Sequence, residues 1–175
     1  MPTLIANALL FLLGWLACMF GGDSPWLLIV AAVLVVHLLW TSSWAAEGKL
    51  LLSVFLAGSA LDSFLLNLGL FDFGEPRRLI PLWLALTWLL LGTTLNHCLA
   101  WSARPWWRAS LLGAIAGPLA YYGGAQIADV GLPLGAWTTL LILAAVWAVV
   151  MPVLHGFARL YRSQHEQAQR VRQQP

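Results

Sequence analysis

One carboxylate, Asp62, lies inside an apolar stretch of the sequence, AGSALDSFLLN at residues 57–67. If a helix begins near Leu50, Asp62 lies about 18 Å along it, since each residue adds ~1.5 Å. That depth is near the middle of a bilayer, whose hydrocarbon core is about 30 Å thick. An ionised Asp there costs roughly 2.5–3.5 kcal/mol on insertion scales, so we expect Asp62 to face protein or a wet cavity and to keep its proton.

Asp62 is the candidate catalytic residue, because carboxyl groups inside a membrane commonly take part in proton transfer or ligand binding. The alternative is a structural hydrogen bond between helices, a role that Ser and Asn side chains also fill. Three polar side chains share its helix face at spacings of three and four: Ser59, Ser63 and Asn67. This polar stripe is compatible with both interpretations. Depth favours three hydroxyl groups as partners of the carboxyl group: Thr87, Tyr121 and Tyr122.

Four residues are predicted to contact a ligand: Arg77, Arg78, Thr87 and Tyr121. The two arginines follow the turn FDFGEP and precede the fourth apolar run, between Pro76 and Pro81. The free N–H groups of a helix start, together with two guanidinium groups, would bind an anion such as a lipid phosphate. The alternative is that the neighbouring Asp72 and Glu75 neutralise the arginines.

The fifth apolar run carries two packing signals. GAIAG at residues 113–117 is a small-xxx-small pair, which favours close approach of two helices. Pro118 follows directly and predicts a kink, and Tyr121 continues the same face. A kinked helix with a tyrosine either lines a cavity or is simply bent, and the sequence leaves both open.

Five polar side chains are expected at one level near the cytoplasmic boundary: Asn7, His37, Asn96, His97 and His155. Three imidazoles from three helices could form a metal or proton site. An isolated interfacial histidine is more often structural, and the sequence lacks the spacings H-E-x-x-H, H-x-x-E-H and C-x-x-C. We therefore predict neither a metal ion nor another cofactor. Spacing also predicts one helix face for Thr87, Thr94 and His97.

The amino-acid composition indicates which class of protein contains these residues. Hydrophobic residues make up 61% of the chain and charged residues 9%, with a mean hydropathy of +0.80. Such values lie outside the range of soluble domains and indicate a membrane protein. The net charge of +2 could suggest nucleic acid, but the basic residues lie at loop ends and in the C-terminal tail, so we predict no nucleic-acid partner.

Six apolar runs separated by turn-forming residues predict an all-α fold, a polytopic transmembrane bundle of about six helices. The runs are residues 4–20, 26–40, 50–70, 79–99, 107–122 and 134–154. We assign residues 1–158 to one transmembrane helical domain and residues 159–175 to a basic cytoplasmic tail. The first run has no Lys or Arg before its apolar core, so we expect it to be retained as a membrane anchor.

The distribution of basic residues predicts the orientation. With six crossings, seven basic residues fall on one face and two, Arg77 and Arg78, on the other. The seven are Lys49, Arg104, Arg108, Arg159, Arg162, Arg170 and Arg172. Because basic flanks stay in the cytoplasm, both termini are predicted to be cytoplasmic. Most of the 11 tryptophans, Trp83 among them, fall near the ends of runs, where indole rings prefer the membrane interface, and none is assigned to a site.

Four stretches of the sequence are NALLFLLGWLACMFGG, LDSFLLNLGLF, IPLWLALTWLLLGTTLNH and GAIAGPLAYYGG. Together they resemble a small family of bacterial inner-membrane proteins known only as a domain of unknown function. The resemblance covers most of the chain and implies a multi-pass protein of the bacterial inner membrane. Genes of that family often lie near genes for cyclopropane-fatty-acid-synthase-like enzymes and flavin-dependent oxidoreductases, which implies a link to lipid modification. The resemblance assigns no catalytic residue.

Three functional classes remain open. A lipid-facing accessory protein or enzyme, which we favour, would open laterally beside Asp62, Arg77 and Arg78 and have membrane lipids as partners. A small proton-coupled transporter would need an aqueous path from Asp62 to a membrane face. A structural subunit would bury its GAIAG face against a second copy of the chain or another membrane protein. The sequence contains no P-loop, dinucleotide fingerprint or serine nucleophile elbow, so it names no reaction.

Overall fold

A computed structural model describes residues 2–173 as a bundle of helices, which confirms the predicted all-α fold class. The helices are α1 (Pro2–Gly21), α2 (Leu27–Val36), α3 (Trp44–Asn67), α4 (Leu82–Gly92), α5 (Trp107–Ile127) and α6 (Ala136–Gln173). A π-helical segment, His37–Thr41, prolongs α2, and a short 3₁₀ helix, Ala100–Ala103, precedes α5. Each helix falls on one of the six predicted apolar runs, because the runs end at residues that form turns.

Three of the helices are long and apolar enough to cross a bilayer. They are Thr3–Gly21, Trp44–Asn67 and Ala136–Gln173. Two further apolar segments, Leu27–Thr41 and Leu82–Gly92, are shorter. Roughly 20 residues are needed to cross the hydrocarbon core as a helix, so the three long helices indicate an integral membrane protein.

The fourth run does not form the long helix that its hydropathy predicts. The α4 helix ends at Gly92, and the hydroxyl groups of Thr93 and Thr94 directly after it each donate to a carbonyl three residues back, both at 2.6 Å. Residues 93–99 then form tight turns. The predicted common helix face of Thr87, Thr94 and His97 is therefore wrong beyond Gly92, and His97 lies on an irregular segment.

The α1, α3, α5 and α6 helices exceed their predicted lengths, whereas α2 reaches the end of its run only with its π-helical extension. Ser43 caps α3, where its hydroxyl oxygen accepts from the amide of Ala46 at 3.3 Å, and α3 then runs without interruption past Asp62. The α5 helix continues through Pro118, and α6 continues through Pro152 into the basic tail as far as Gln173.

Five helices form a closed ring in the order α1, α4, α3, α6 and α5, with α5 contacting α1 again. The α2 helix lies outside this ring against α1 and α4. At one end of the ring the α3–α4 loop and the α5–α6 loop are joined by two backbone hydrogen bonds, of 2.9 and 2.8 Å, between Asp72 and Gly131. These bonds connect the two halves of the bundle through their loops.

The α5 and α6 helices pack closely because α5 presents glycine to α6. A Cβ atom added at Gly113 or Gly117 would overlap atoms of Trp147, and at Gly113 also the side chain of Met151. The small-xxx-small prediction for residues 113–117 is thus confirmed, with α6 of the same chain as the partner.

This packing predicts opposite effects for two glycines of α5. Gly117→Ala should lower the free energy of unfolding by about 1–3 kcal/mol, because the new methyl group overlaps the indole of Trp147. Gly123 has open space where a Cβ would lie, so Gly123→Ala should be neutral or stabilise the helix by up to ~1 kcal/mol. Chemical unfolding of the two variants in detergent micelles would measure both values. Equal stability of the two variants would contradict the close packing.

Candidate functional site

An apolar cavity of about 250 Å³ lies inside the ring, between α1, α4, α5 and α6. Aromatic side chains form much of its wall: Trp15, Phe71, Trp83, Trp88, Tyr121 and Trp147. Apart from Leu112 and Tyr121, the residues that α5 contributes to the wall are small: Gly113, Ala116, Gly117, Ala120, Gly124 and Ala125. The space therefore exists because α5 offers little side-chain volume on this face.

Asp62 lies behind this wall and is completely buried. Its carboxyl group accepts two hydrogen bonds, from Nε1–H of Trp88 at 2.8 Å and from the hydroxyl group of Tyr121 at 2.7 Å. Both donors line the cavity. The structure thus places Asp62 inside the bundle, with Tyr121, one of the three predicted hydroxyl groups, as a partner. The predicted depth was wrong, because α3 runs from Trp44 to Asn67 and Asp62 lies five residues from its end rather than near its middle. Its catalytic role stays a prediction.

The two donors are held in a stacked aromatic group. The rings of Trp88 and Trp147 lie parallel within 4°, with centroids 5.2 Å apart. Tyr121 meets Trp147 edge to face at 5.9 Å and stacks on Phe71 at 5.5 Å. A Cβ at Gly58 would overlap the indole of Trp88, so α3 needs a glycine there to let this ring lie flat. Asp62 therefore fixes the orientation of a rigid aromatic wall.

The other residues predicted around Asp62 have different partners. Thr87 lines the cavity, but its hydroxyl group donates to the carbonyl of Leu84 at 2.6 Å. The Ser63 hydroxyl accepts from the amide of Ile80 at 3.3 Å, and the Asn67 amide donates to the carbonyl of Arg78 at 2.8 Å. Ser63 and Asn67 thus fasten the α3–α4 loop, which is the structural role that we considered for them.

Arg77 and Arg78 do not lie at a helix start, and that placement was wrong. The α4 helix begins at Leu82, and the amide of Trp83 in its first turn donates to the carboxylate of Asp23 at 2.9 Å. Arg77 lies 3.7 Å from Glu75 and 5.5 Å from the ring centroid of Phe73. A carboxylate of the chain thus occupies the helix start, and anion binding by Arg77 and Arg78 stays a prediction.

A second polar site lies away from the cavity, around Glu47 in the first turn of α3. One carboxylate oxygen lies 2.8 Å from Nε2 of His37, and the other lies 2.9 Å from Nε2 of His97. The two imidazole rings meet edge to face, with centroids 5.2 Å apart. The side chains of Glu47 and His37 are only 5% and 1% exposed, whereas that of His97 is 19% exposed.

Two asparagines and an arginine surround this cluster. Asn7 accepts from the amide of Cys98 at 3.3 Å and donates to the carbonyl of Thr93 at 3.1 Å. Asn96 donates to Glu47 at 3.1 Å and accepts from Arg162 of α6 at 2.6 Å. The cluster therefore draws side chains from α1, α3, α6 and the segments that follow α2 and α4.

The structure brings together four of the five residues predicted at this level. His155 is the exception, since its Nε2 lies 2.8 Å from the hydroxyl group of Ser102. Glu47 was missed because it lies in a polar stretch, TSSWAAEGK, that we interpreted as a loop. The sequence did contain an indication: His37 and Glu47 are ten residues apart, at the end of one helix and the start of the next, so a short turn between the helices can bring them together.

The tryptophans of the cavity wall were also missed. Trp88 and Trp147 lie in the middle of their apolar runs, and Trp83 near the end of a run is buried and lines the cavity. A buried indole usually has a partner for its N–H group, so a mid-membrane Trp could have indicated the acceptor Asp62.

Comparison with known proteins gives a family but no activity. Residues 4–153 match the family described as "Protein of unknown function (DUF2878)". No curated protein and no solved structure matches the chain. Any activity must therefore be inferred from the residues of this chain.

The hydrogen bond between Tyr121 and Asp62 predicts a difference between two adjacent tyrosines of α5. Tyr121→Phe should destabilise the protein by about 1–3 kcal/mol, because the buried carboxyl group loses one of its two donors. Tyr122 is exposed, so Tyr122→Phe should leave stability unchanged. Unfolding in detergent micelles would compare them, and a loss of similar size in both variants would contradict the assigned hydrogen bond.

Proposed function

Because this chain belongs to the DUF2878 family, whose function is unknown, we propose a function from its own structure: it is an integral membrane protein that binds the hydrocarbon chain of a membrane lipid in its central cavity. The observation that carries this proposal is the apolar cavity between α1, α4, α5 and α6. A bound lipid would make the protein an accessory to lipid modification, or the enzyme that carries it out.

The wall chemistry supports a hydrocarbon occupant. Aromatic and aliphatic side chains dominate it, and its hydroxyl groups, Thr87 and Tyr121, already donate within the protein. The wall therefore offers water few hydrogen bonds, and an apolar chain can fill the cavity without displacing tightly bound water. At ~30 Å³ per water-sized group, the volume accommodates on the order of eight methylene groups, which is part of an acyl chain.

The small residues of α5 support access from the bilayer. Ala116 and Ala120 both line the cavity and are exposed on the outer surface of the bundle. Acyl chains are the surroundings of a helix that crosses a membrane. We infer that a chain enters along α5, past these two alanines.

The contact between Asp62 and Tyr121 suggests how chemistry would reach such a lipid. Tyr121 lines the cavity, whereas Asp62 lies behind it. A proton could therefore pass between a bound lipid and Asp62 only by way of the Tyr121 hydroxyl group. In the accessory role, Asp62 instead positions Tyr121 and Trp88 for lipid binding.

A proton-coupled transporter is the alternative function. It would require polar groups that lead from Asp62 towards a membrane face. The neighbouring space is the apolar cavity, which offers a proton few hydrogen-bonding groups. The lipid-binding function therefore accounts for more of the structure than the transporter does.

We further propose that all six helices cross the bacterial inner membrane, with both termini in the cytoplasm. The short α2 and α4 helices would cross together with their irregular extensions, which is tolerated where such backbone is buried in protein. The tail of α6 carries Arg159, Arg162, Arg170 and Arg172 on the proposed cytoplasmic side.

The lipid proposal predicts that filling the cavity displaces the lipid. Ala116→Phe should lower the occupancy of a phosphatidylglycerol probe at least ~10-fold, which corresponds to about 1.4 kcal/mol. The adjacent Ile115 is exposed and does not line the cavity, so Ile115→Phe is the matched control and should bind as the wild type does. Native mass spectrometry of delipidated protein after addition of the probe would measure occupancy. Equal occupancy in both variants, or an absence of retained lipid in the wild type, would refute the proposal.

The topology predicts that a reporter at the C-terminus stays in the cytoplasm. Alkaline phosphatase fused there should be inactive, and a fluorescent protein fused there should fluoresce, because the basic flanks hold this end inside. Fusions within the α3–α4 loop should show the opposite pattern. Active phosphatase at the C-terminus would overturn the orientation.

A further inference from the structure

We propose that Glu47, His37 and His97 bind a divalent transition-metal ion of the zinc class. The inference is independent of the cavity, because none of the three residues lines it. It also goes beyond the family description and replaces our expectation that the chain binds no metal.

The donor atoms lie close enough together to reach one metal ion. One oxygen or nitrogen from each of the three side chains lies within 4.8 Å of the others. Zinc binds imidazole nitrogen and carboxylate oxygen at about 2.0–2.2 Å, so tetrahedral donors lie ~3.4 Å apart. His37 and His97 lie 2.8 and 2.9 Å from different oxygens of Glu47. An ion between them would therefore have to move each imidazole about 0.5 Å away from the carboxylate.

The donor types also select the class of ion. Two imidazoles and one carboxylate are the protein ligands of one group of catalytic zinc sites, which leave a fourth position for water or substrate. Imidazole suits Zn²⁺ and Fe²⁺, whereas Mg²⁺ and Ca²⁺ prefer all-oxygen sites. His97 is the partly exposed member of the cluster, so the fourth position would face its side.

Two departures from regular helix bring the histidines to Glu47. His37 is the first residue of the π-helical segment His37–Thr41, and His97 lies in the turns that follow the early end of α4. The first turn of α3, held by its Ser43 cap, supplies Glu47 between them.

Outer partners hold the ligands as they do around known metal sites. Asn96 donates to a Glu47 oxygen, and Arg162 donates to Asn96, which orients the carboxylate from α6. Such second contacts orient metal ligands and tune their affinity.

The contacts of Asn7 indicate which proton an ion would have to replace on His37. Its oxygen accepts from the Cys98 amide, so its nitrogen faces Nδ1 of His37 at 3.4 Å. Without an ion, the His37 proton therefore lies on Nε2, towards Glu47. An ion bound at Nε2 takes the place of this proton, which leaves for solvent or moves to Nδ1. In the second case the amide of Asn7 must turn.

The test is a metal titration of the purified full-length protein in detergent. After removal of metals with a chelator, the wild type should bind one Zn²⁺ per chain in competition with a chromophoric chelator. With Co²⁺ instead, it should show the visible absorption of a low-symmetry N₂O site. His97→Gln should weaken Zn²⁺ binding by more than the ~10–100-fold cost of losing an outer partner.

His155→Gln is the matched control, because His155 is a buried histidine bound to Ser102 outside the cluster. It should bind Zn²⁺ as the wild type does. Glu47→Gln should also lose the ion. If that variant does not fold, the result for His97→Gln decides the test, because His97 is partly exposed and its replacement is better tolerated. A wild type that takes up no Zn²⁺ at micromolar concentration, or equal affinity in His97→Gln and His155→Gln, would overturn the proposal.

Discussion

The bundle depends on one buried carboxyl group that cannot be left without hydrogen bonds. Asp62 is wholly excluded from solvent, so no water is available to compensate its carboxyl group. Its two donors come from α4 and α5, so the need for hydrogen bonds ties three helices together. Stacking of Trp88 on Trp147 extends this link to α6. The cavity is bounded by the same aromatic side chains and therefore has a fixed shape.

Polar groups are thus concentrated at two levels that serve different purposes. Around Asp62 the polar groups are few, and both hydrogen-bond donors, Trp88 and Tyr121, are aromatic side chains that line the apolar cavity. At the level of Glu47 they form a compact cluster of nitrogen and oxygen donors with the exposed edge of His97. The first arrangement suits a hydrocarbon ligand and the second suits an ion. The two sites could be occupied independently.

The sequence predicted the helices well, because the hydropathy of a membrane span depends on composition rather than on particular contacts. It also predicted that Asp62 faces the bundle, and it named Tyr121 as one of three possible partners, of which only Tyr121 bonds to Asp62 in the residues that the structure describes. It could not predict the position of His97, because α4 ends at Gly92 within an apolar run and His97 lies in the turns that follow. Nor could it predict that Glu47 is buried. A carboxylate beside a turn is normally solvated, and here its burial results from two histidines that are distant in sequence.

The paired loops have a consequence for how a lipid would arrive. Phe71 and Phe73 on one side of the Asp72–Gly131 bridge, and Val130 on the other, line the cavity, so the bridge closes that end of it. A ligand that enters along α5 would diffuse in the plane of the bilayer. Occupancy would then follow the mole fraction of the lipid among its neighbours rather than any aqueous concentration. A change in membrane composition would be sensed directly, without a soluble messenger.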